Sequence, residues 1–422
     1  MSYTDKQEEL LRSLDYVDPD MIAGAVARID EKKSRVNTVK KNNLNLYFKL
    51  AAAAAACLAI IAIAWPTSVH ITEYYEYVPP LFGAANSDGK IETTPEYNGS
   101  RGLLYEVNED GETASFVGFG TCTDEDIVIA SHYNGLPVVE MRNQPYYDAN
   151  NHYNDFAYGN KYAKSLTISD TVKTVLGAII DECPNLERVY VGASVEGFQT
   201  PFMNYPSKIV SIEVSPENEN YSSDGNCLVD LRSKRLVWGC NTTVIPDDGS
   251  VEIIGAAAFM HAEEYSADYL PEGIRVIEPN AFTDCNGLVN LRLPSTLEKV
   301  YGSTFNICEN LEVVDLNGYS VIAPSMFIDC TSLREIKGSE NITFIDKSAF
   351  RGCTSLTINL SPALEKIADL AFAFLYQNGE AIINFSGTMA EWNAIEKADT
   401  WKSNSQSVTV NCTDGVIRLS GK

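Results

Sequence analysis

Six phenylalanines divide the second half of this chain into nearly equal lengths. Phe259, Phe282, Phe305, Phe327, Phe350 and Phe372 follow one another at intervals of 22 or 23 residues. Four of them open one phrase: Phe282-x-x-Cys285-x-x-Leu288, Phe305-x-x-Cys308-x-x-Leu311, Phe327-x-x-Cys330-x-x-Leu333 and Phe350-x-x-Cys353-x-x-Leu356. Ile180-x-x-Cys183-x-x-Leu186 repeats it much earlier, with Ile in the Phe place. A fixed period of about 20–29 residues with leucines in every unit marks stacked coils, because one such unit cannot bury its apolar face alone. Leu288, Leu291 and Leu293, then Leu311, Val314 and Leu316, are expected to point inward, with each Phe and Cys filling the far side of the same core. The expected fold is mainly β, a leucine-rich-repeat solenoid of short parallel strands. Such an architecture shifts expectation from catalysis toward binding.

Cysteine at this period invites a metal ladder or a disulfide framework. Zinc sites want Cys or His paired at two to four residues, which the repeat lacks. Nine of the ten cysteines follow residue 65, an odd number for complete pairing. Cys285, Cys308, Cys330 and Cys353 therefore read as small buried hydrophobes. Residues 220–245 interrupt the period, with Asn226-Cys227-Leu228-Val229-Asp230-Leu231 and Leu236-Val237-Trp238-Gly239-Cys240 flanking Arg232-Ser233-Lys234-Arg235. Pairing Leu231 with Leu236 gives a hairpin that places Cys227 opposite Cys240, as a disulfide or as two free thiols.

The formal net charge is −25, and residues 1–49 are nearly balanced, with 9 basic and 8 acidic side chains. The acidic remainder repels phosphate backbones, which argues against nucleic-acid binding. Leu50 through Trp65 (LAAAAAACLAIIAIAW) carries no charge. As a helix it would run ~24 Å, and Tyr47, Phe48 and a snorkelling Lys49 bring it near the ~30 Å hydrocarbon thickness. Lys32, Lys33, Arg35, Lys40, Lys41 and Lys49 precede it, and no Lys or Arg follows until Lys90. The asymmetry places the N-terminus in the cytoplasm and the C-terminal bulk outside. Residues 46–66 read as a single-pass transmembrane signal anchor; a buried Ala-rich helix, or a signal cleaved after Ala62-Ile63-Ala64, are the alternatives.

Residues 1–45 form the expected cytoplasmic tail. Asp18-Pro19 suits a helix start, Met21, Ile22, Ala25, Val26 and Ile29 share one face, and Lys32, Lys33 and Arg35 suit its end. This helix either lies on the membrane surface or docks a cytoplasmic partner. Residues 67–100, rich in Pro, Asn and Gly, read as a linker, 101–385 as the repeat ectodomain and 386–422, with Trp392 and Trp401, as a C-terminal cap. Short strands are expected near Leu103–Tyr105, Ser115–Gly118, Ile127–Ile129 and Val138–Met141. On the outward strand face Arg292, Asp315 and Lys337 hold equivalent places in successive coils, a sign-alternating ladder able to pair with itself. The interruption 142–162 carries Tyr146, Tyr147, Tyr153, Phe156, Tyr158 and Tyr162 among Asn and Asp neighbours. That composition suits an adaptable ligand-binding loop, or a cover over the first coils.

Several units in register resemble the BspA-like, or Treponema pallidum-type, leucine-rich repeat. The matching residues are Ala281-Phe282-x-x-Cys285-x-x-Leu288-x-x-Leu291-x-Leu293-Pro294, with Leu297-x-x-Val300 closing the coil, and Ser348-Ala349-Phe350-Arg351-Gly352-Cys353-Thr354-Ser355-Leu356. The Cys227 hairpin, Glu391-Trp392-Asn393 and Asn411-Cys412-Thr413-Asp414-Gly415 also resemble segments of such proteins from gut Firmicutes. The resemblance covers residues 101–415, with departures at 142–162 and 259–270. It implies a bacterial cell-surface protein that contacts a protein or glycan, with no catalytic residues, metal or cofactor to transfer. No phosphate loop or His-Glu-x-x-His motif adds chemistry of its own, and the acidic clusters lack the spacing of a calcium loop. A membrane-anchored binding protein is the expectation; a transmembrane signalling protein whose tail holds a regulator is the alternative.

Overall fold

The computed structural model describes residues 98–142, 160–175, 180, 183–198, 208–373, 380–405 and 407–420. The expected tail helix, the anchor 46–66, nearly all of the linker and most of the tyrosine-rich interruption lie outside these residues. Among the described residues no helix is long and apolar enough to cross a membrane.

The described chain winds as a mainly β solenoid of about 11 coils. Two parallel ladders run along its first part. One passes from Ala114–Gly118 through Leu136–Met141 and Thr174–Val175 to Gly197–Phe198, with the antiparallel strand Leu104–Val107 at its outer edge. The other joins Asp126–Val128, Ser165–Thr167, Arg188–Val191 and Ser211–Val214. These strands fall within a residue or two of those expected from the hydrophobic runs and their turn residues. After residue 240 the ladders resume. A seven-stranded sheet runs from Asn290–Arg292 through Val313–Asp315, Glu335–Lys337, Ser355–Leu360, Glu380–Phe385 and Ser407–Cys412 to an antiparallel last strand, Gly415–Ser420.

The repeat phrase now has a physical explanation. The six phenylalanine rings stack coil upon coil, with centroids 5.0, 5.4, 5.7, 5.6 and 5.2 Å apart from Phe259 to Phe372. Each offset pair adds about 0.5–1.5 kcal/mol beyond the area it buries. Below the rings each cysteine reaches back one coil: Cys285, Cys308, Cys330 and Cys353 donate their thiols to the carbonyls of Phe259, Phe282, Phe305 and Phe327 at 2.9, 3.1, 3.0 and 3.3 Å. Leu288, Leu311, Leu333 and Leu356 complete the buried layer. The turns that carry Phe259 to Phe350 take left-handed backbone two residues before and two after the ring, as at Asn280 and Asp284 or Ser303 and Ile307. Small or polar residues hold most of these positions because they tolerate positive φ; Ile307, at φ 60°, and Leu370, two residues before Phe372 at φ 58°, are the costly exceptions.

Two stretches that break the sequence pattern keep the coil. At 259–270 the loop lays Tyr265 4.3 Å from Phe259 and 6.1 Å from Phe282, and Tyr269 regains the ladder through a parallel bridge to Arg292. After Phe385 the strand Ser407–Cys412 continues the seven-stranded sheet in register, and Glu396–Lys397 continues a parallel ladder of Val321–Ile322, Phe344–Ile345 and Lys366–Ile367, with the short helix Met389–Ala394 inserted between coils. Its capping box, Thr388 with Glu391, fixes the turn. Trp401 closes the phenylalanine stack edge-on, 5.8 Å from Phe372, and Trp392 is buried against Phe385.

Candidate functional site

The apolar interior divides in two at the hairpin Leu228–Asp230/Arg235–Trp238. Leu228, Val237, Trp238 and Cys240 belong to the core formed by residues 103–240, whereas Cys227, Val229 and Leu236 belong to the core that continues to Val410. Alternation from Cys227 to Val229 and from Leu236 to Val237 sends successive side chains to opposite faces, so the hairpin is a wall with a core on either side. Gly239 lets this wall approach the first ring of the stack, since a Cβ there would meet Phe259 at 2.2 Å.

The hairpin register differs from the one expected. Asp230 pairs with Arg235, Val229 with Leu236 and Leu228 with Trp238, with a bulge between Leu228 and Val229. The expected pairing of Leu231 with Leu236 is corrected to Asp230 with Arg235, a shift of one residue at the same turn length, and with the bulge Cys227 does not face Cys240 across the ladder. Both thiols are free and face separate cores: Cys227 donates to the Asp224 carbonyl at 3.1 Å, and Cys240 lies 3.4 Å from the Asn226 amide. Burial pushes the Cys227 thiol up to about 12.

Where the two cores meet, the surface opens into a cavity of about 360 Å³ lined by Phe198, Tyr221, Asp230, Arg235, Val237, Gly255, Ala256 and Glu278. Phe198 and Val237, both buried, give it an apolar floor. The rim is charged. Arg235 pairs with Glu278 through Oε2, which also accepts the Ala256 backbone N–H at 2.9 Å. Arg232 holds Asp230 at 3.1 Å and sets its guanidinium 5.7 Å over the Tyr221 ring. Burial pushes the Asp230 carboxyl up, but the Arg232 guanidinium and the Arg232 and Ser233 backbone N–H groups outweigh it and hold it below its usual range. The Tyr221 hydroxyl accepts the Phe198 backbone N–H at 3.0 Å, and burial raises its own ionisation.

The eight lining residues are spread from 198 to 278, with no motif joining them. The period break at 220–245 was the only sequence signal pointing here. Of the tyrosine-rich interruption, Tyr146, Tyr147, Tyr153, Phe156 and Tyr158 lie outside the described residues. Tyr162 is exposed, with the Lys161 ammonium 5.3 Å from its ring.

The second extended surface is the outward face of the seven-stranded sheet. Arg292, Asp315 and Lys337 do stand in register. They pair less than expected: Arg292 reaches Asp315 only at 4.0 Å, and Lys337 makes no ion pair among the described residues. Strand twist and the bond from Arg292 to Asn317 at 3.3 Å draw the guanidinium away. Further along, the row turns to amides, with Asn384 donating to Asn359 at 3.0 Å and Asn411 to Asn384 at 2.9 Å.

Residues 252–377 match the family model of the BspA type leucine rich repeat region, in six copies. This chain carries BspA-type leucine-rich repeats. The match spans the phenylalanine stack from before Phe259 to beyond Phe372, and includes the four coils in which ring, thiol and leucine recur together. Among solved structures the chain is similar to a leucine-rich cell surface protein from Faecalibacterium prausnitzii, at 16% identity over 72% of this chain and 99% of that one, with a TM-score of 0.39. It is also similar to a T. pallidum leucine-rich-repeat protein, at 17% identity over 58% and 82% with a TM-score of 0.23. The pneumococcal vaccine antigen PcpA shares 12% identity over 76% and 99%, with a TM-score of 0.35. A search of curated proteins finds no match. Likenesses this distant leave the assignment resting on the BspA-type repeat match itself.

Proposed function

We propose that the chain is a non-catalytic binding protein displayed at a bacterial cell surface, recognising a protein or glycan through its solenoid. The observation that supports this most is the seven-stranded sheet: stacked BspA-type repeats present a long, exposed row of Arg292, Asp315, Lys337, Asn359, Asn384 and Asn411 whose members do not fully satisfy one another. Repeat scaffolds bind through such extended surfaces. Residues 46–66 would hold the chain in the membrane, with the acidic solenoid outside, and the tyrosine-rich interruption would add an adaptable contact.

Purified residues 67–422 should show saturable binding to one member of a panel of matrix proteins, mucins, wall polymers and glycans. Alanines at Tyr146, Tyr147, Tyr153 and Tyr158 should weaken it if that loop contributes. A panel with no binder would set aside the recognition reading and turn attention to the tail. The apolar face of residues 21–29 supports a cytoplasmic partner there; transcription unchanged by deleting residues 1–35 would dismiss it.

A further inference from the structure

We propose that the seam cavity is a binding site for the acetamido group of an N-acetylated amino sugar, as found at the end of a glycan. The assignment rests on the reading of the chain as a recognition scaffold. Its basis is the set of polar atoms that the lining leaves unused. Glu278 engages Arg235 and the Ala256 N–H through Oε2 only, leaving Oε1 as a free acceptor among the described residues. Arg235 uses Nη1 on Glu278, leaving Nε and Nη2 as donors. Tyr221 accepts from Phe198 and keeps its hydroxyl proton to give. Glu278, Arg235 and Tyr221 line the cavity together with Phe198 and Val237.

A secondary amide bearing a small methyl group meets each of these requirements at once. Its N–H would donate to Glu278 Oε1 and its carbonyl would accept from Arg235 or Tyr221. Its methyl group would cover Phe198 and Val237, and the sugar hydroxyls would find the Asp230 carboxylate at the rim. Bonds to charged groups are stronger than neutral ones. A peptide offers the same amide. The cavity, at about 360 Å³, is a pocket for one ring and its substituent rather than a run of chain, which favours the sugar. Charge agrees: an uncharged ligand escapes the repulsion that a chain of net charge −25 exerts on acidic polymers.

The test is calorimetric titration of the full chain with N,N′-diacetylchitobiose, with cellobiose, which lacks the acetamido groups, and with N-acetylalanine N-methylamide as the peptide amide. Diacetylchitobiose should bind at least about tenfold more tightly than either control, the equivalent of ~1.4 kcal/mol. Ala256→Phe, which fills the cavity from its half-buried edge, should abolish binding. Glu278→Gln, which keeps an acceptor but removes its charge, should weaken it about tenfold. Thermal unfolding of both variants checks that they fold, and the second stands if the first does not. Equal binding of cellobiose, preference for the peptide amide, wild-type affinity in folded variants, or no binding at all would each overturn the assignment. Those results would leave the broader reading to the ligand panel, so the two can fail separately.

Discussion

Each cysteine of the repeat combines a buried thiol with a hydrogen bond to the coil before it. Burial raises the Cys308 thiol to about 12 and drives those of Cys285 and Cys330 well above their usual range. A raised folded value means that the unfolded chain loses its thiol protons first. The stabilisation is therefore complete below pH ~9 and is lost as pH climbs from there toward 12. Each such thiol should contribute a fall of about 1.4 kcal/mol per pH unit in that window. Urea unfolding of wild type and Cys308→Ala across pH 8 to 11 measures it: the variant, less stable at pH 8, should show the shallower decline. Parallel declines would refute the linkage. Reactivity follows from the same burial, since eight of the nine described thiols are buried and only Cys412 is partly accessible. Of the described cysteines, Cys412 should be the one that reacts with a thiol reagent in the folded chain, and mass mapping of the label would show it. Ile307 presents the opposite case, a β-branched residue in left-handed backbone whose side chain is exposed. Asp284, Asp329 and Gly352 fill the same place in neighbouring coils. Ile307→Gly should raise stability by about 1 kcal/mol, and a loss of stability would show that its contacts outweigh the backbone strain.

At the scale of elements, the stack depends on every ring having a neighbour above and below. Phe305→Ala should cost ~3–5 kcal/mol, because the rings at 5.4 and 5.7 Å on either side cannot close the gap without moving a coil. The hairpin wall has a different consequence. With Leu228 and Val237 in one core and Val229 and Leu236 in the other, residues 103–226 and 241–420 share little apolar contact. Hydrogen exchange should reveal two protection classes divided at the hairpin; one common opening free energy throughout would contradict it. The rhythm of Phe, Cys and Leu made the coils readable because ring stacking and thiol bonding both demand a constant period. The hairpin was visible as a break in that rhythm, but its register was not. A turn displaced by one residue and a bulge moved the pairing, and turn residues alone do not encode a bulge. The seam cavity stayed hidden for the same reason: Phe198, Tyr221, Arg235 and Glu278 come together only through coil stacking.

For the molecule as a whole, the solenoid is a scaffold whose interior is committed to stacking and whose faces are left for contact. The sign-alternating row was legible from spacing, and its incomplete pairing was not, because strand twist and Asn317 decide where Arg292 points. The six repeat copies tie this scaffold to the BspA type, and the charge step around residues 46–66 is the reason to place it outside the cell. That placement, on which the binding role depends, can be tested by treating intact cells with protease and following the C-terminal epitope, with lysed cells as the control. A surface-displayed solenoid should be cut to the same extent in both. Survival of the epitope in intact cells, with digestion after lysis, would contradict surface display and the recognition role built on it.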